Sequence, residues 1–241
     1  TYMEKQIGET PLDLVKRIKG TSKETHAFAG RLDPMARGQM IILKGIECKQ
    51  MDAFCKQDKV YEFEILFGFQ TDTYDILGMV ESYQFTFPKP KINLISFSGK
   101  QIQPYPPYSS IIVNKKPLWM WAKEGKLSEI SIPSKNIEIY SLEYLGESTF
   151  KHSEELLGKI LAKINKLPLE KQADFRVPQI INRWKEVLGN GFDKPYFQKF
   201  RAQVSSGTYI RSLVHKIGQE LGMGAIAWDI NRTHFISSRE N

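Results

Sequence analysis

The sequence predicts an α+β fold, a mixed sheet with flanking helices around a cleft. Three observations lead there. Residues 60–69 alternate, with Tyr61, Phe63, Ile65, Phe67 and Phe69 in one phase and Glu62 and Glu64 in the other; a period of two marks a half-buried strand. Residues 10–19, 153–164 and 206–221 carry apolar side chains three and four apart, the period of an amphipathic helix. Between the first helix and the first strands lies the stretch 26–38, bounded by Gly30 and Gly38, which presents a single acid, Asp33.

The bulk composition fits one sizeable globular unit. A chain of 241 residues, 41% hydrophobic and 25% charged, can bury a substantial core. The net charge of +7 admits a polyanionic partner without requiring one. Cys48 and Cys55 are the only cysteines; two are too few for a secreted disulfide scaffold and their spacing matches no common zinc pattern. They are read as reduced thiols. There is no signal-peptide pattern and no apolar run long enough to span a bilayer, so a soluble, cytoplasmic protein is expected.

In chain order, Thr10 caps a helix, Pro11 suits its first turn, Leu12, Val15 and Ile18 share a face, and Gly20 ends it. Gln39–Leu43 is a short apolar strand and residues 49–57 read as helix. The strand 60–69 follows, with its apolar phase assigned to the core. Residues 70–78 are dense in turn formers; their acids hint at a calcium loop but lack the remaining ligands of that motif. Residues 79–87 suggest another strand. Residues 101–110 hold too many prolines for a central strand, and 137–144 suggest a further one. Ser153, Glu154 and Glu155 open a helix striped by Leu156, Leu157, Ile160, Leu161 and Ile164, and a second runs from about Pro178 to Leu188. Ser206 opens a last helix to Leu221, with Leu213, Val214 and Ile217 facing inward.

The loop around Asp33 carries the chemistry. Pro34 fixes its own φ and biases Asp33 toward an extended conformation. Arg31 and Arg37 stand close by in sequence, a setting that favours the carboxylate form. A positioned carboxylate can act as a nucleophile. The same residues also describe an Asp-Pro turn with solvated arginines.

Gly30-Arg-Leu-Asp-Pro-Met-Ala-Arg-Gly38 resembles the Gly-x-Leu-Asp-Pro-x-Ala-x-Gly signature of the TruB-type pseudouridine synthases. Other blocks recur in order. Lys5-Gln-Ile-Gly-Glu-Thr10 is similar to the family's opening Lys-Pro-x-Gly-x-Ser/Thr, with Gln6 where proline is usual. Lys59-Val-Tyr61 opens a strand where the family carries its active-site tyrosine. Thr71-Asp-Thr-Tyr-Asp-Ile-Leu-Gly78 resembles Thr-Asp-Thr-x-Asp-x-x-Gly, and residues 101–110 resemble Gln-x-Pro-Pro-x-Tyr-Ser. Lys115–Gly125 is similar to the family's helix beside the active cleft, where Trp119 and Trp121 either pack or stack on a base. Gly207-Thr-Tyr-Ile-Arg211 is highly similar to a family-specific segment, and Gly222–Thr233 matches its closing strand.

The resemblance implies a pseudouridine synthase fold with a mostly antiparallel sheet, and an RNA isomerase that turns a uridine in the T-loop of tRNA into pseudouridine. The base has to be flipped out to be reached. By the same likeness, Asp33 attacks the nucleotide or assists cleavage of the glycosidic bond, Arg211 pairs with Asp33, Tyr61 stacks on the uracil, and Asp75 holds Arg211. Ile230 and Phe28 wall the pocket, and Arg31 and Tyr209 join the substrate site. Lys5 either positions the loop or is a solvated N-terminal lysine. Phe28 stands where the bacterial pattern has a histidine, and His26 lies two residues away; phenylalanine can stack but not donate hydrogen bonds. Residues 151–199 depart from the compact bacterial pattern. The stretch 151–201 holds eleven Lys/Arg against six Asp/Glu, so five of the seven net positive charges lie there. It reads either as a basic insertion whose Lys159, Lys163 and Lys166 contact RNA phosphates or as a helical pair that only buttresses the core. The family's small C-terminal RNA-binding PUA module has no counterpart before Asn241. No metal, nucleotide or redox cofactor is expected. The partner is tRNA, with no membrane and no obligatory protein partner, and the chain is expected to be a monomer. Two alternatives stay open: a guide-RNA-dependent synthase sharing this core, and a catalytically idle tRNA-binding or folding protein.

Overall fold

In the computed structural model, which describes residues 1–189, 191 and 194–236, both outer parts of the chain come to one strand. β1 (Tyr2–Lys5) leads into α1 (Pro11–Lys19). Thr10 accepts from the Asp13 backbone while the Asp13 carboxylate accepts from the Thr10 N–H at 2.8 Å, a full capping box. β2 (His26–Ala29) and β3 (Ala36–Lys44) bracket the Asp33 loop. A 3₁₀ turn and α2 (Met51–Cys55) precede β4 (Asp58–Phe67), β5 (Phe69–Thr71) and β6 (Val80–Tyr83). β7 (Gly99–Pro104), β8 (Ile112–Val113), β9 (Lys116–Pro117), α3 (Leu118–Lys123) and β10 (Ser134–Thr149) come next. Then follow α4 (Ser153–Ile164), α5 (Leu169–Gln172) and α6 (Val177–Leu188), β11 (Tyr196–Val204), α7 (Ile210–Leu221) and β12 (Ala225–Ile236).

The main sheet runs β1-β3-β12-β4-β11-β10-β7, with β2 also pairing to β3. Its pairings are antiparallel except one: Ala36–Gly38 of β3 lie parallel to Ile230–Arg232 of β12. The mixed, mostly antiparallel sheet is therefore the one expected. β7, which runs into the proline-rich stretch, sits at an end of the sheet, where a missing N–H breaks no ladder.

Each face of the sheet has its own core. Tyr61, Phe63, Ile65 and Phe67 point from β4 into one core with Leu14 and Val15 of α1 and Leu213, Val214 and Ile217 of α7. Leu66, in the opposite phase, packs with Leu156 and Ile160 of α4 and Ile180 and Trp184 of α6. Phe69 was expected in the first core and lies in the second. Gly68 takes φ of 88°, which breaks the alternation and starts a separate two-stranded sheet of β5 and β6. Three other expectations shift. Residues 49–57 give a 3₁₀ turn plus the short α2, the strand over 79–87 shrinks to β6, and the last helix starts at Ile210 rather than Ser206. There Thr208 closes a turn by donating to the Ser205 carbonyl at 2.9 Å.

The helices of 151–188 are a buttress with several inward-turned charges. Trp184 is fully buried and donates Nε1–H to the Ile76 carbonyl at 3.1 Å. Lys163, read above as a phosphate contact, instead donates to the Trp228 carbonyl at 2.7 Å and pairs with Asp229 at 3.2 Å. Its ammonium also lies 4.1 Å from the Trp228 ring centroid. The i, i+3, i+4 stripe of α4 puts position 163 beside the buried Ile160 and Ile164, so its stem follows the core. Lys171 pairs with Asp13 of α1. Lys159 and Lys166 remain exposed. Among the described residues no helix is long and apolar enough to cross a membrane.

Removing the Trp184 ring takes the centre out of the second core and its one hydrogen bond with it. Trp184→Ala should cost about 3–5 kcal/mol in urea unfolding, whereas Ile181→Ala, on a half-buried neighbour, should cost clearly less. Equal losses would mean that the helical pair is not held through Trp184.

Candidate active site

Asp33 sits at the head of a tight turn. The Ala36 N–H donates to the Asp33 carbonyl at 3.0 Å, and Pro34 fills the second position, where its fixed φ suits a type I or II turn. The turn is gripped by its backbone from two sides. Lys5, fully buried, sends its ammonium to the Ala36 carbonyl at 2.6 Å and the Gln6 carbonyl at 3.0 Å, with the Pro34 carbonyl at 3.5 Å. Burial pulls the Lys5 amine down to about 8, opposed by the charge of Asp33. The solvated-lysine alternative is thereby excluded. From the other side Arg232, 1% exposed, donates to the carbonyls of Gln39 (2.7 Å), Arg31 (3.1 Å) and Gly30 (3.3 Å). Gly38 permits the approach: at φ of 114°, a Cβ there would stand 2.3 Å from the Arg232 carbonyl oxygen.

The carboxylate is held by an arginine from the far end of the chain. Arg211, on the first turn of α7, donates Nε–H to Asp33 Oδ2 at 2.7 Å and Nη2–H to Oδ1 at 2.8 Å, a two-pronged fit of planar groups. Its Nη1 donates to the Thr73 carbonyl at 2.6 Å and its Nη2 also to the Tyr108 carbonyl at 3.2 Å. The Arg211 side chain is only 3% exposed, while that of Asp33 keeps 32%. The acid is thus anchored on one side and open on the other. The charges of Asp33 and Asp75 hold the Arg211 guanidinium well above its usual range despite burial.

Asp75 stands behind this pair rather than bonded into it. Its Oδ2 is 3.9 Å from Arg211 Nε, while Oδ1 accepts from the Thr73 hydroxyl at 2.7 Å and the Leu77 N–H at 2.9 Å. Burial raises the Asp75 carboxyl to about 6; Arg211 opposes that rise and the Asp33 charge adds to it. So Asp75 does not hold Arg211 through a hydrogen bond. It supplies a charge nearby and orders the 71–78 turn.

Tyr61, 6% exposed, and Ile230, 6% exposed, share an apolar cluster with Leu32 and Ala36, which flank Asp33 closely. Ile230 lies in register with Ala36 across the parallel pair. Phe28 packs against the same cluster, and the Arg31 guanidinium lies 5.5 Å from its ring centroid. Tyr209 precedes α7; its backbone N–H and C=O are bridged by the Gln103 amide at 2.8 and 3.1 Å, and its ring meets Tyr105 edge-on. Burial pushes the Tyr209 phenol up to about 12. Arg37, expected beside Asp33, turns away to Asp229 at 3.0 Å. Trp121 is a packing residue that donates to the Val113 carbonyl at 3.0 Å, and Trp119 is 41% exposed. Arg232 and Gln103 escaped the sequence reading. Both had a signal: Arg232 falls two residues after Ile230 in the inward phase of the closing strand, and Gln103 is the glutamine five residues before Tyr108 in the Gln-x-Pro-Pro-x-Tyr-Ser block.

The site is thus one partly exposed aspartate, held at both oxygens by a buried arginine, beside an apolar cluster of a mixed sheet. The profile of the TruB family pseudouridylate synthase N-terminal domain matches residues 16–157, and the chain belongs to that family. It is 32% identical to the tRNA pseudouridine synthase B of Clostridium acetobutylicum over 95% of its own length and 64% of the relative's. The Aquifex aeolicus tRNA pseudouridine synthase B is 31% identical over 95% of this chain and 66% of the relative. The chain therefore spans about two thirds of the length of these relatives. In fold it is similar to a chain of a Cbf5-Nop10-Gar1 complex, with a TM-score of 0.56 at 19% identity, over 96% of this chain and 47% of that one.

Asp75 yields a pH test. Its folded value of about 6 lies above the ordinary 3.8, so the folded state binds the proton more tightly. That contribution to stability is complete below pH 4 and is lost as pH rises through 6. Asp75→Asn lacks the loss. Relative to wild type its stability should improve between pH 4 and 7, by up to about 3 kcal/mol. Parallel unfolding curves for the two proteins across that range would show that Asp75 titrates normally.

Proposed function

We propose that this chain isomerises a uridine in the T-loop of tRNA to pseudouridine, as a single polypeptide. The observation that carries the reading is the Arg211–Asp33 pair, an acid fixed at both oxygens and exposed on its open side, at the family's aspartate position. In this isomerisation the N1–C1′ glycosidic bond breaks, the C5–C1′ bond forms, N1 gains a proton and C5 loses one. No electrons are exchanged with an outside group. Asp33 faces the open side of the cleft, where it can attack the nucleotide or assist departure of the base. Arg211 keeps that carboxylate aimed and lowers the cost of reorganisation at the moment of reaction. Tyr61 offers a flat apolar face to the flipped uracil, with Ile230 and Phe28 as side walls. Arg31 and Tyr209 line the way in. Lys159 and Lys166, seven residues apart in the α4 region and both exposed, are phosphate contacts in this reading; Lys163 is not.

The purified chain incubated with unmodified tRNA transcript should produce pseudouridine at the T-loop uridine. Asp33→Asn should abolish turnover and leave transcript binding within about twofold of wild type. Turnover by the variant would remove Asp33 from the reaction, and absence of product from the wild-type chain alone would point to a guide RNA, a partner or an idle site.

The doubly substituted Lys159→Ala, Lys166→Ala chain should bind tRNA with a salt dependence shallower by about 1–2 counterions. An unchanged slope would leave these helices as a buttress only.

A further inference from the structure

Arg211 takes its third and fourth acceptors from two separate loops, the Thr73 carbonyl and the Tyr108 carbonyl. Neither loop belongs to a long strand, and something must hold them at the right distance from each other. Arg176, between α5 and α6, touches both. Its Nη1 donates to Asp72 Oδ2 at 2.7 Å, one residue before Thr73. Its guanidinium lies 4.5 Å from the centroid of the Tyr108 ring. Asp72 in turn fixes its own turn, accepting from the Met79 N–H at 2.9 Å. The ion pair is largely out of water, with 21% of the Arg176 and 18% of the Asp72 side chain exposed. Arg176 reaches this place at a conformational cost, because its φ of 57° and ψ of 29° put a non-glycine residue in the left-handed region. A helix start that needs only a cap would not select arginine there.

We propose that Arg176 is a positioning residue for the isomerase reaction: by pairing with Asp72 and stacking on Tyr108 it locks the two loops whose carbonyls orient Arg211, and through Arg211 it aims Asp33. The inserted helices 153–188 thus act on the chemistry and not only on the stability of the sheet. Two features distinguish this from a general buttress. The contact is made to both acceptor loops by one planar group, and the path to the carboxylate is short: Arg176 to residues 72 and 108, these to Arg211, Arg211 to Asp33. A lysine would keep the charge for Asp72 but lose the planar face over Tyr108. Misplacing a reacting group by a fraction of an ångström to one ångström costs about tenfold to a hundredfold in rate.

The proposal rests on the isomerase reading, and the test separates the two. Single-turnover release of the uracil C5 hydrogen from tritiated transcript is measured with the full chain and with Arg176→Met, Arg176→Lys and Lys171→Met. Arg176→Met should lose about tenfold to a hundredfold in the chemical rate with transcript affinity within about twofold. Arg176→Lys should recover part of that loss. Lys171→Met, which cuts the tie between the same insertion and Thr10 and Asp13 at the start of α1 and not the Arg176 contacts, should lower the melting temperature without changing the rate. A wild-type rate in Arg176→Met, or rate losses that track melting temperature across all three variants, would overturn the proposal. The Arg211 Nε–H resonance, followed by NMR without any RNA, gives a readout independent of turnover. It should broaden or shift upfield in Arg176→Met and stay put in Lys171→Met; an unchanged resonance in Arg176→Met sinks the proposal even if the wild-type chain proves inactive on tRNA, an outcome that by itself sinks only the isomerase reading.

Discussion

The site depends on keeping one guanidinium out of water. Arg211 is 3% exposed in its side chain, and moving such a cation from water into a protein costs several kcal/mol before any partner is counted. Four hydrogen bonds to Asp33, Thr73 and Tyr108 offset that cost, with the Asp75 carboxylate 3.9 Å away adding Coulombic attraction. None of these acceptors lies on α7. The 26–38 loop, the 71–78 turn and the 104–110 segment must all arrive at the start of that helix in the right order. Much of the architecture between them serves this convergence: the separate β5–β6 sheet sets the turn, and Gln103 ties the edge strand to Tyr209 at the helix entry.

The acid-bearing loop is shaped by main-chain contacts. Lys5 and Arg232 spend their donors on the carbonyls of residues 6, 36, 39, 31 and 30, so the loop's path is set by its backbone. That leaves its own side chains for other tasks. Leu32 turns into the core, Arg31 rests over Phe28, Arg37 crosses to Asp229, and Asp33 alone faces Arg211. Two buried cations on one turn are stable only because backbone oxygens receive them. This explains why burial lowers the Lys5 amine to about 8 without leaving its donors unsatisfied.

Local patterns were legible in the sequence and distant pairings were not. The β4 alternation, the Thr10 cap and the stripes of α4 and α7 all depend on residues a few positions apart, and they appear where local pattern places them. The family signature marked Asp33, and its Gly-Thr-Tyr-Ile-Arg segment marked Arg211. Composition alone pointed to Arg31 and Arg37 as neighbours of the acid; adjacency in sequence is a poor guide there, because a turn sends successive side chains in different directions. Phe69 changed cores because one positive-φ glycine shifts a strand's phase. Lys163 looked like its exposed neighbours Lys159 and Lys166 because charge counts do not see the Asp229 opposite. Arg176 and Arg232 act on partners more than a hundred residues away, a separation that no window along the chain can span.

The parallel contact of β3 with β12 has a consequence for how the protein is made. β3 is synthesised well before β12, yet its loop needs Arg232, about two hundred residues later, and Asp33 needs Arg211. Contacts of such separation form late, since the loop-closure entropy must be met first. A growing chain on the ribosome can fold α1 and pair β3 with β1 and β2, but Asp33 stays unclamped until α7 and the closing strand have emerged. Partly synthesised chains would therefore carry the Asp33 loop without its arginine partner, so that assembly of the site reports completion of the sheet.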